Sequence, residues 1–335
     1  MNRRTGNSPR ANWMGFLILS FSVSAPFVSA RGQVFVSNET GHSISIIDPV
    51  SRSVVSTIPL GQRARGIHAS PDGKRIYVAL SDNVPMIESA GDRIGVVDVA
   101  SRRVVARFRA GSDPEQFGVT PDGRVLYTSN EDGGSASATD IRSGKVVATM
   151  VVGIEPEGVS VSPNGRWAYV TAETSNSVSI IDTRRNKVVS NLLVDVRPRA
   201  VAFSPDGSRA YVTAEIGGSL SVIDVAKRQL LETIELERGQ GKPVGVVVSP
   251  NGKTVYVANG RANRVSVVDA QLGKVVASIP VGRRPWGIAL TRDGKTLYTA
   301  NGLSDDVSVI DVASRSVVAT IPVGKRPWGV AIVEK

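Results

Sequence analysis

The stretch that decides the fold is Arg284-Pro-Trp-Gly-Ile-Ala-Leu-Thr-Arg-Asp-Gly-Lys-Thr-Leu-Tyr-Thr-Ala-Asn-Gly302, continued by Val307-Ser-Val-Ile-Asp311 and Val317-Val-Ala-Thr-Ile-Pro-Val-Gly324. It is one full copy of a repeat that fills the chain after about residue 31. The aspartate that ends each Ser-Val-Ile-Asp run recurs seven times, at Asp48, Asp98, Asp140, Asp182, Asp224, Asp269 and Asp311. An aromatic residue recurs in step with it, at Phe35, Tyr77, Tyr127, Tyr169, Tyr211, Tyr256 and Tyr298. Successive aspartates are 50, 42, 42, 42, 45 and 42 residues apart, and a period near 40 with four short apolar runs predicts a propeller blade.

One repeat unit, residues 197–231, shows where the strands of a blade are expected. Ala200–Ser204 is predicted as strand A, and Pro205–Ser208 as a tight turn in which proline fixes φ and glycine accepts a positive φ. Arg209–Thr213 is strand B, and Leu220–Asp224 is strand C, whose alternation buries one face. A short turn leads to strand D, which carries a Leu-Leu or Val-Val pair. Four such strands bury both faces only when blades stack around an axis, so one repeat would not be stable alone.

The two ends of the repeat region predict how the ring closes. The region begins on a strand B, Gln33–Val36, and ends on a lone strand A, Gly329–Val333. The last strand is therefore expected to complete the first blade, which removes the exposed edges of an open array. The predicted fold is all-β: a seven-bladed β-propeller of four-stranded antiparallel blades, closed by the C-terminal strand.

Residues 1–30 are predicted to be a secretory signal peptide. They carry three arginines and no acidic residue, then an apolar run from Trp13 that ends in Val28-Ser29-Ala30, with the small residues that signal peptidase requires. No other segment reaches the roughly 18 apolar residues that a membrane-spanning helix needs. The expected domains are the signal peptide, 1–30, and the propeller, 31–335. The mature chain is expected in the periplasm, or secreted, after cleavage near Ala30.

The composition limits the chemistry that the chain can support. It contains no cysteine, which excludes disulfides, thiolate metal sites, iron–sulfur clusters and covalently attached haem. It has 40 basic and 30 acidic side chains, and without the three arginines of the predicted signal peptide 37 basic ones remain, a formal charge of +7. A charge of this size is typical of a solvated surface and does not by itself require a nucleic acid or another anionic partner.

Several repeat motifs resemble those of the YVTN family of β-propeller proteins, and the likeness covers essentially the whole mature chain. The motifs are Tyr169-Val-Thr, Tyr211-Val-Thr, Ser204-Pro-Asp-Gly, Ser179-Ile-Ile-Asp and Arg326-Pro-Trp-Gly. An exported protein of seven such repeats also resembles the subfamily that accompanies periplasmic alcohol oxidation dependent on pyrroloquinoline quinone. That resemblance implies an accessory or binding role beside an enzyme that is a separate polypeptide. It specifies the fold more than the function, because one fold hosts many chemistries.

The strand order assigns the connections to two faces of the predicted disc. The A–B and C–D turns share one face, the turn face, and the D–A and B–C loops share the other, the channel face, at the mouth of the central channel. The seven repeat aspartates lie on the turn face. There a hydrogen bond from backbone N–H to the carboxylate explains them without a metal ion.

Residues that differ from blade to blade on the channel face are candidate contacts, because a repeat needs no such variation for its own stability. The residue before the glycine position of strand A is, in blade order, Arg65, Glu115, Glu157, Arg199, Val244, Trp286 and Trp328. Two residues earlier stand Arg63, Asp113, Glu155, Arg197, Lys242, Arg284 and Arg326, and the B–C loops add Glu39, Glu131, Glu173 and Glu215. We predict ligand or partner contacts at Arg63, Arg65, Glu115, Glu157, Arg197, Arg199, Arg284, Trp286, Arg326 and Trp328. The structural alternative is that the charges pair across blades and the tryptophans plug the channel.

Two further features of the sequence remain open. The blade of Tyr77 has eight extra residues in its B–C loop, around 83–91, where Met86 and Ile87 would either contact a partner or fold over their own blade. Of the two histidines, His42 lies in a loop, and His68 stands where most other blades have small residues, which favours a buried or channel-side position. Neither belongs to a nucleophile–base constellation.

We therefore expect an exported, non-catalytic binding or accessory propeller that supports a periplasmic oxidation or transport system. It would need no cofactor or metal of its own, and its channel face would hold a periplasmic protein or a small molecule. A lactonase-type hydrolase is the enzymatic alternative, with a divalent cation held by Glu115, Glu157 and the B–C glutamates, although the neighbouring arginines oppose it. A nucleic-acid or anionic-ligand binder is the other alternative, using the arginines and two tryptophans, but the interleaved glutamates and the modest charge weaken it.

Overall fold

The computed structural model describes residues 1–2, 32–82, 89–237 and 240–334. The predicted signal peptide therefore lies almost entirely outside the described residues, as do Met86 and Ile87 of the inserted loop, and both predictions stay predictions. In the described ranges no helix has the length and hydropathy that crossing a bilayer requires.

Strands account for nearly all of the regular structure in the described ranges, and they form seven four-stranded antiparallel sheets, one per blade. Blade 1 contains β1 (Gln33–Asn38), β2 (Ser43–Asp48) and β3 (Ser53–Pro59). Blade 2 contains β4 (Arg63–Ala69), β5 (Arg75–Ser81), β6 (Arg93–Asp98) and β7 (Arg103–Arg109). Blade 3 contains β8 (Pro114–Val119), β9 (Val125–Asn130), β10 (Ser135–Asp140) and β11 (Lys145–Val151). Blade 4 contains β12 (Pro156–Val161), β13 (Trp167–Ala172), β14 (Ser177–Asp182) and β15 (Lys187–Leu193).

The second half of the ring repeats the same pattern. Blade 5 contains β16 (Pro198–Phe203), β17 (Arg209–Ala214), β18 (Ser219–Asp224) and β19 (Gln229–Glu235). Blade 6 contains β20 (Pro243–Val248), β21 (Thr254–Asn259), β22 (Arg264–Asp269) and β23 (Lys274–Pro280). Blade 7 contains β24 (Pro285–Leu290), β25 (Thr296–Asn301), β26 (Asp306–Asp311) and β27 (Ser316–Pro322). The last strand, β28 (Pro327–Val333), joins blade 1.

The ring closes as the sequence predicts. The order in blade 1 is β28-β1-β2-β3, and β28 runs antiparallel to β1 with Gln33 opposite Val333 and Phe35 opposite Ala331. The all-β, seven-bladed prediction is confirmed. The observed inner strands begin earlier than predicted: β16 starts at Pro198 rather than Ala200, because the residue after the D–A loop already pairs with strand B.

The inner strand of every blade contacts the inner strand of the next, from β28 through β4, β8, β12, β16, β20 and β24 back to β28. The approach is so close that glycine occupies one inner-strand position in five of the seven blades, the exceptions being Gln116 and Ala200. A Cβ atom on Gly158 would lie 2.2 Å from the backbone oxygen of Arg199, and one on Gly287 would lie 2.5 Å from that of Trp328. A larger residue at either of these two glycines would force the neighbouring backbones apart.

The aromatic residue of strand B links neighbouring blades. Tyr127 is fully buried in blade 3, and its hydroxyl donates to the backbone oxygen of Thr183 and to Asn186 Oδ1, 3.2 and 2.6 Å away in the C–D turn of blade 4. Burial raises the pKa of Tyr127 to about 12, so the hydroxyl stays a donor. Phe35 and Tyr169 occupy the same position in their blades and are also fully buried.

The repeat aspartates act as the sequence predicts, as acceptors within their own turns. Asp48 Oδ1 accepts from the backbone N–H groups of Val50 and Ser51 at 2.7 and 2.9 Å. The same bond to a turn N–H is present at Asp98, Asp140, Asp182, Asp224, Asp269 and Asp311. These bonds satisfy turn donors that would otherwise lack a protein acceptor.

A β-bulge in the outer strand of each blade was not expected. In blade 2, Val96 pairs with Ala106 and Val97 with Val104, which leaves Val105 as the extra residue. The same shift makes the second member of the Val-Val or Leu-Leu pair the extra residue in every blade: Val55, Val105, Val147, Val189, Leu231, Val276 and Val318. All seven are exposed, whereas Val104 packs against the core between blades. In blade 2 the two residues of the pair therefore have different roles.

This difference can be tested with two substitutions in one strand. Val104→Ala should lower the free energy of unfolding by about 1–2 kcal/mol, because it removes methyl groups from a packed site. Val105→Ala should change it by less than about 0.5 kcal/mol, since that side chain faces solvent. Urea denaturation of both variants measures the difference. Equal losses would show that the bulge assignment is wrong.

Candidate functional site

The candidate contacts lie where the D–A loops enter the inner strands. The residue before each strand-start proline has a positive φ in six blades, at Asp113, Glu155, Arg197, Lys242, Arg284 and Arg326. In blade 2 the equivalent Arg63 precedes Ala64 and is already part of β4. The left-handed residue turns the chain sharply from the loop into the strand. Two residues later stand the side chains that the sequence singles out, of which Glu115, Glu157, Arg199 and Trp328 are buried.

Arg65 is the centre of one ion-pair network, which we call the Arg65 cluster. Its guanidinium lies 3.3 Å from Glu39 of blade 1 and 3.3 Å from Glu131 of blade 3, and it pairs closely with buried Glu115. Arg63 pairs with Glu39 at 3.5 Å. Asp113 also belongs to the cluster, 3.9 Å from Arg65 and 4.0 Å from Arg63. The cluster joins blades 1, 2 and 3 across the channel mouth.

A second network, the Arg199 cluster, holds blades 4 and 5 together. Arg199 lies 3.0 Å from Glu157 and pairs closely with Glu173, and Glu215 is 3.8 Å away. Only 7% of the Arg199 side chain is exposed, so its charge is compensated almost entirely by these carboxylates. Arg197 supports the same acids, at 2.7 Å from Glu173 and 3.3 Å from Glu215. Arg284 of blade 7 reaches Glu215 at 3.8 Å.

Glu131 lies between the two clusters, and its pKa is unusually high for a carboxyl group. Burial is the largest cause, followed by the negative charge of Glu157, and the opposing attraction of Arg65 is smaller, so the pKa of Glu131 rises to about 7. The Arg65 cluster has four carboxylates and two arginines, so it has more acid than its cations neutralise. A partly protonated Glu131 reduces that excess at neutral pH.

Tryptophan side chains form the opposite side of the mouth. The rings of Trp286 and Trp328 lie 6.1 Å apart at an angle of 41°. The guanidinium carbons of Arg284 and Arg199 lie 4.7 and 5.0 Å from the Trp286 ring, within the range of a cation–π contact. The indole Nε1 of Trp286 is buried and has no hydrogen-bond partner among the described residues. Arg326 is exposed and makes no ion pair with any carboxylate of the described ranges.

Two cavities meet at these side chains. The mouth cavity, about 320 Å³, is bordered by the charged residues of both clusters together with Leu303 and Arg326. The channel cavity, about 430 Å³, runs down the inner strands. Glu157, Arg199, Trp286 and Trp328 border both, so they lie between the mouth and the channel. This agrees with the expectation that tryptophans could plug the channel.

Three carboxylates lie close enough together to bind a metal ion, but an arginine guanidinium already pairs with them. Asp113, Glu115 and Glu131 each offer an oxygen, and the three atoms lie within 4.8 Å of one another. Arg65 pairs with all three. A divalent ion at this place would have to displace the guanidinium, and a hard cation prefers several oxygen ligands without an opposing charge.

The structure thus brings all ten predicted contacts to the channel face, in two different environments. Arg63, Arg65, Arg197 and Arg199 are engaged with Glu115, Glu157 and the B–C glutamates, as the structural alternative supposed. Arg284, Trp286, Arg326 and Trp328 form the second environment, which we call the tryptophan sector. Whether any of them binds a ligand remains a prediction.

Sequence reasoning missed Gln116, which borders the channel cavity. The signal was available, because Gln116 stands at the strand-A position that is glycine in five other blades. Gln116 also hydrogen-bonds the side chain of His68.

Comparison with known proteins supports the propeller fold. The family model described as "YNCE-like beta-propeller" matches residues 239–335, and the model described as "Cytochrome D1 heme domain" matches residues 79–202. Each match covers less than half of the chain. A search of curated protein sequences gives no significant match.

Three solved structures resemble the chain at low sequence identity. A protein of unknown function from Desulfotomaculum acetoxidans DSM 771 is 20% identical with a TM-score of 0.76, over 90% of this chain and 99% of that one. A protein from Bacteroides fragilis NCTC 9343, provisionally described as a 6-phosphogluconolactonase, is 18% identical with a TM-score of 0.73, over 92% and 100%. Hydrazine synthase from Kuenenia stuttgartiensis is 24% identical with a TM-score of 0.53, over 75% and 96%. At these identities the likeness concerns the fold alone.

The two kinds of arginine at the mouth should respond differently to loss of charge. Arg199→Met should lower the free energy of unfolding by about 3–5 kcal/mol, because it leaves buried carboxylates without their cation. Arg326→Met should change it by less than about 0.5 kcal/mol, since the guanidinium is exposed. Chemical denaturation near pH 7 measures both. A mild effect of Arg199→Met would mean that the Arg199 cluster is solvated in solution.

Glu131 should make stability depend on pH in a direction opposite to most carboxylates. Its raised pKa means that the native state binds the proton more tightly than the unfolded state, whose ordinary value is 4.5, so stability is lost as pH rises from about 4.5 to about 7. Glu131→Gln removes this loss. The free energy of unfolding of the variant minus that of the native chain should therefore increase from pH 4 to pH 8, by on the order of 2–3 kcal/mol. Denaturant titrations at both pH values measure the change.

Asp122→Asn is the matched control for this experiment. Hydrogen bonding to Thr120 is the main reason that the pKa of Asp122 lies below its ordinary value of 3.8, so this carboxylate titrates below the tested range and the substitution should cost about the same stability at pH 4 and at pH 8. If both variants showed the same pH dependence, Glu131 would not be the group that titrates near neutrality.

Proposed function

We propose that this protein is a non-catalytic binding propeller whose tryptophan sector holds an anionic partner or ligand at the channel face. The proposal rests on one observation: some arginines around the mouth are paired with carboxylates, and others are not. Arg65 and Arg199 are surrounded by carboxylates, whereas Arg326 is exposed beside Trp328 without a described ion-pair partner. A carboxylate or phosphate group would find an unsatisfied cation there, next to an aromatic surface.

The two ion-pair clusters have a supporting role in this proposal. They fix the loops of blades 1–5 around the mouth, so that little loop ordering is needed when a partner binds. Buried ion pairs of this kind add little net stability, but they impose one arrangement on the side chains that form them. The binding surface is in this sense formed before the partner arrives.

We further propose that the protein is exported and acts as an accessory to a periplasmic oxidation or transport system. The resemblance to YVTN repeats and to the propellers that accompany quinone-dependent alcohol oxidation supports this, together with the signal-peptide pattern of residues 1–30. The partial match to a YNCE-like β-propeller model supports the propeller fold on which this proposal rests.

Two catalytic or cofactor roles suggested by similar proteins fit these residues less well. A lactonase-type centre needs a cation where Arg65 already pairs with Asp113, Glu115 and Glu131. For haem, the chain offers two histidines. One imidazole borders the channel, that of His68, whose ring lies 5.0 Å from the Phe117 ring, because His42 lies in a B–C loop outside the channel lining.

The proposal predicts that charge reversal in the tryptophan sector abolishes capture of the partner. The full-length chain, expressed for export and purified, would be used to pull down partners from periplasmic extract, beside the double variant Arg284→Glu/Arg326→Glu. We expect an anionic protein or ligand, identified by mass spectrometry, to be retained by the native chain and lost from the variant at least tenfold. Trp328 is left unchanged because it is buried.

The matched control reverses two charges on the turn face, Arg292→Glu/Lys295→Glu, which are 83% and 81% exposed. This variant should retain the partner as well as the native chain does. Equal retention by all three proteins would move the site away from the tryptophan sector. Calcium-dependent hydrolysis of a lactone by the native chain would overturn the non-catalytic part of the proposal.

A further inference from the structure

The channel cavity is a separate space below the tryptophans, with walls of a different chemistry. Its lining comes from the inner strands and combines partly exposed aliphatic side chains, among them Val161, Val248 and Leu290, with polar backbone and side-chain atoms. The charged residues on its border, Glu157 and Arg199, lie at the mouth end, where they pair with each other at 3.0 Å. A volume of about 430 Å³ is within the range of small-molecule sites, which are typically apolar with a few placed polar groups.

One polar pair in this lining is specific to blades 2 and 3. His68 occupies an inner-strand position that is Gly118, Ser160, Ala202, Ala289 or Ala331 in other blades, and Gln116 occupies a position that is usually glycine. The two side chains, from adjacent blades 2 and 3, hydrogen-bond to each other. Burial lowers the pKa of His68, so its imidazole is neutral at pH 7 and can exchange one hydrogen bond with a neutral ligand. The blade fold requires neither residue, because other blades have different residues at these two positions.

The channel is open to solvent at the end away from the tryptophans. At that end the inner strands present a ring of apolar side chains that are only partly buried, among them Val119, Val161, Phe203, Val248 and Leu290. Pro163, in the A–B turn of blade 4, also borders the cavity, so the cavity extends to the turn face. A molecule could therefore enter without passing the two ion-pair clusters.

We propose that the channel cavity binds a small, uncharged molecule that carries one hydroxyl group, which hydrogen-bonds to the imidazole of His68. Gln116 holds the imidazole ring in position. Charged molecules are disfavoured, because the two charged residues that border the cavity, Glu157 and Arg199, already pair with each other. This site is distinct from the tryptophan sector, and its entrance is on the opposite face of the disc.

The test compares two probes of nearly the same shape, 4-methylphenol and toluene. Binding to the full chain would be followed by isothermal titration calorimetry and by the fluorescence of Trp286 and Trp328, which border the cavity. We expect saturable binding of both, tighter for 4-methylphenol. His68→Ala should weaken 4-methylphenol about tenfold and leave toluene unchanged, because one hydrogen bond contributes on the order of a factor of ten. Other blades already have alanine at this position, so the variant should fold.

Two further variants make the result specific. Ala202→Val narrows the channel at a position where blade 6 already carries Val247, and it should weaken both probes. Arg284→Glu/Arg326→Glu should change neither, so the outcome does not depend on the proposed function of the tryptophan sector. Equal affinity for the two probes, or an unchanged affinity for 4-methylphenol in His68→Ala, would overturn the role of His68. Absence of saturable binding would overturn the site.

Discussion

The close approach of the seven inner strands is the constraint on which the rest of the structure depends. Neighbouring backbones come so near that a Cβ atom on Gly158 would lie 2.2 Å from a carbonyl oxygen of the next strand. Five of the seven strands therefore have glycine at this position, and the other two have Gln116 and Ala200. The residue before that position then lies at the narrow end of the ring, beside its counterparts from other blades. Charged residues placed there must compensate one another, because water cannot reach all of them.

The two ion-pair clusters follow from this crowding. Arg65 and Arg199 each contact three or more carboxylates from several blades, and Glu115 and Arg199 are buried while doing so. Such pairs differ from exposed ones, because the loss of one partner leaves an uncompensated charge in a poorly hydrated place. The raised pKa of Glu131 has burial as its largest cause and the negative charge of Glu157 as the next. The mouth is therefore divided into a half in which arginines pair with a larger number of carboxylates and a cationic, aromatic half.

The fold could be predicted because each repeat anchor has a local cause. The aspartate caps its own turn, the glycine of the Pro-Asp-Gly turn takes a positive φ, and the aromatic residue fills the space between blades. The bulge at Val105 could not be predicted, because it depends on the register between two strands and not on composition. The positions of the candidate contacts were also available from the repeat. The ion-pair partners of these residues could not be predicted. Arg65 of blade 2 reaches Glu39 and Glu131 in the neighbouring blades, and this depends on the diameter of the closed ring.

The bulges also decide how other proteins can approach this one. An outer strand of a sheet is normally a template for strand addition, in which a partner's extended segment continues the hydrogen-bonded ladder. Each outer strand here carries one unpaired residue, with an exposed valine or leucine, in the middle of its length. The bulge bends and twists the strand, so that a straight segment could match only a few residues on either side of it. Recognition by β-augmentation is disfavoured around the whole circumference, and partners are directed to the two flat faces.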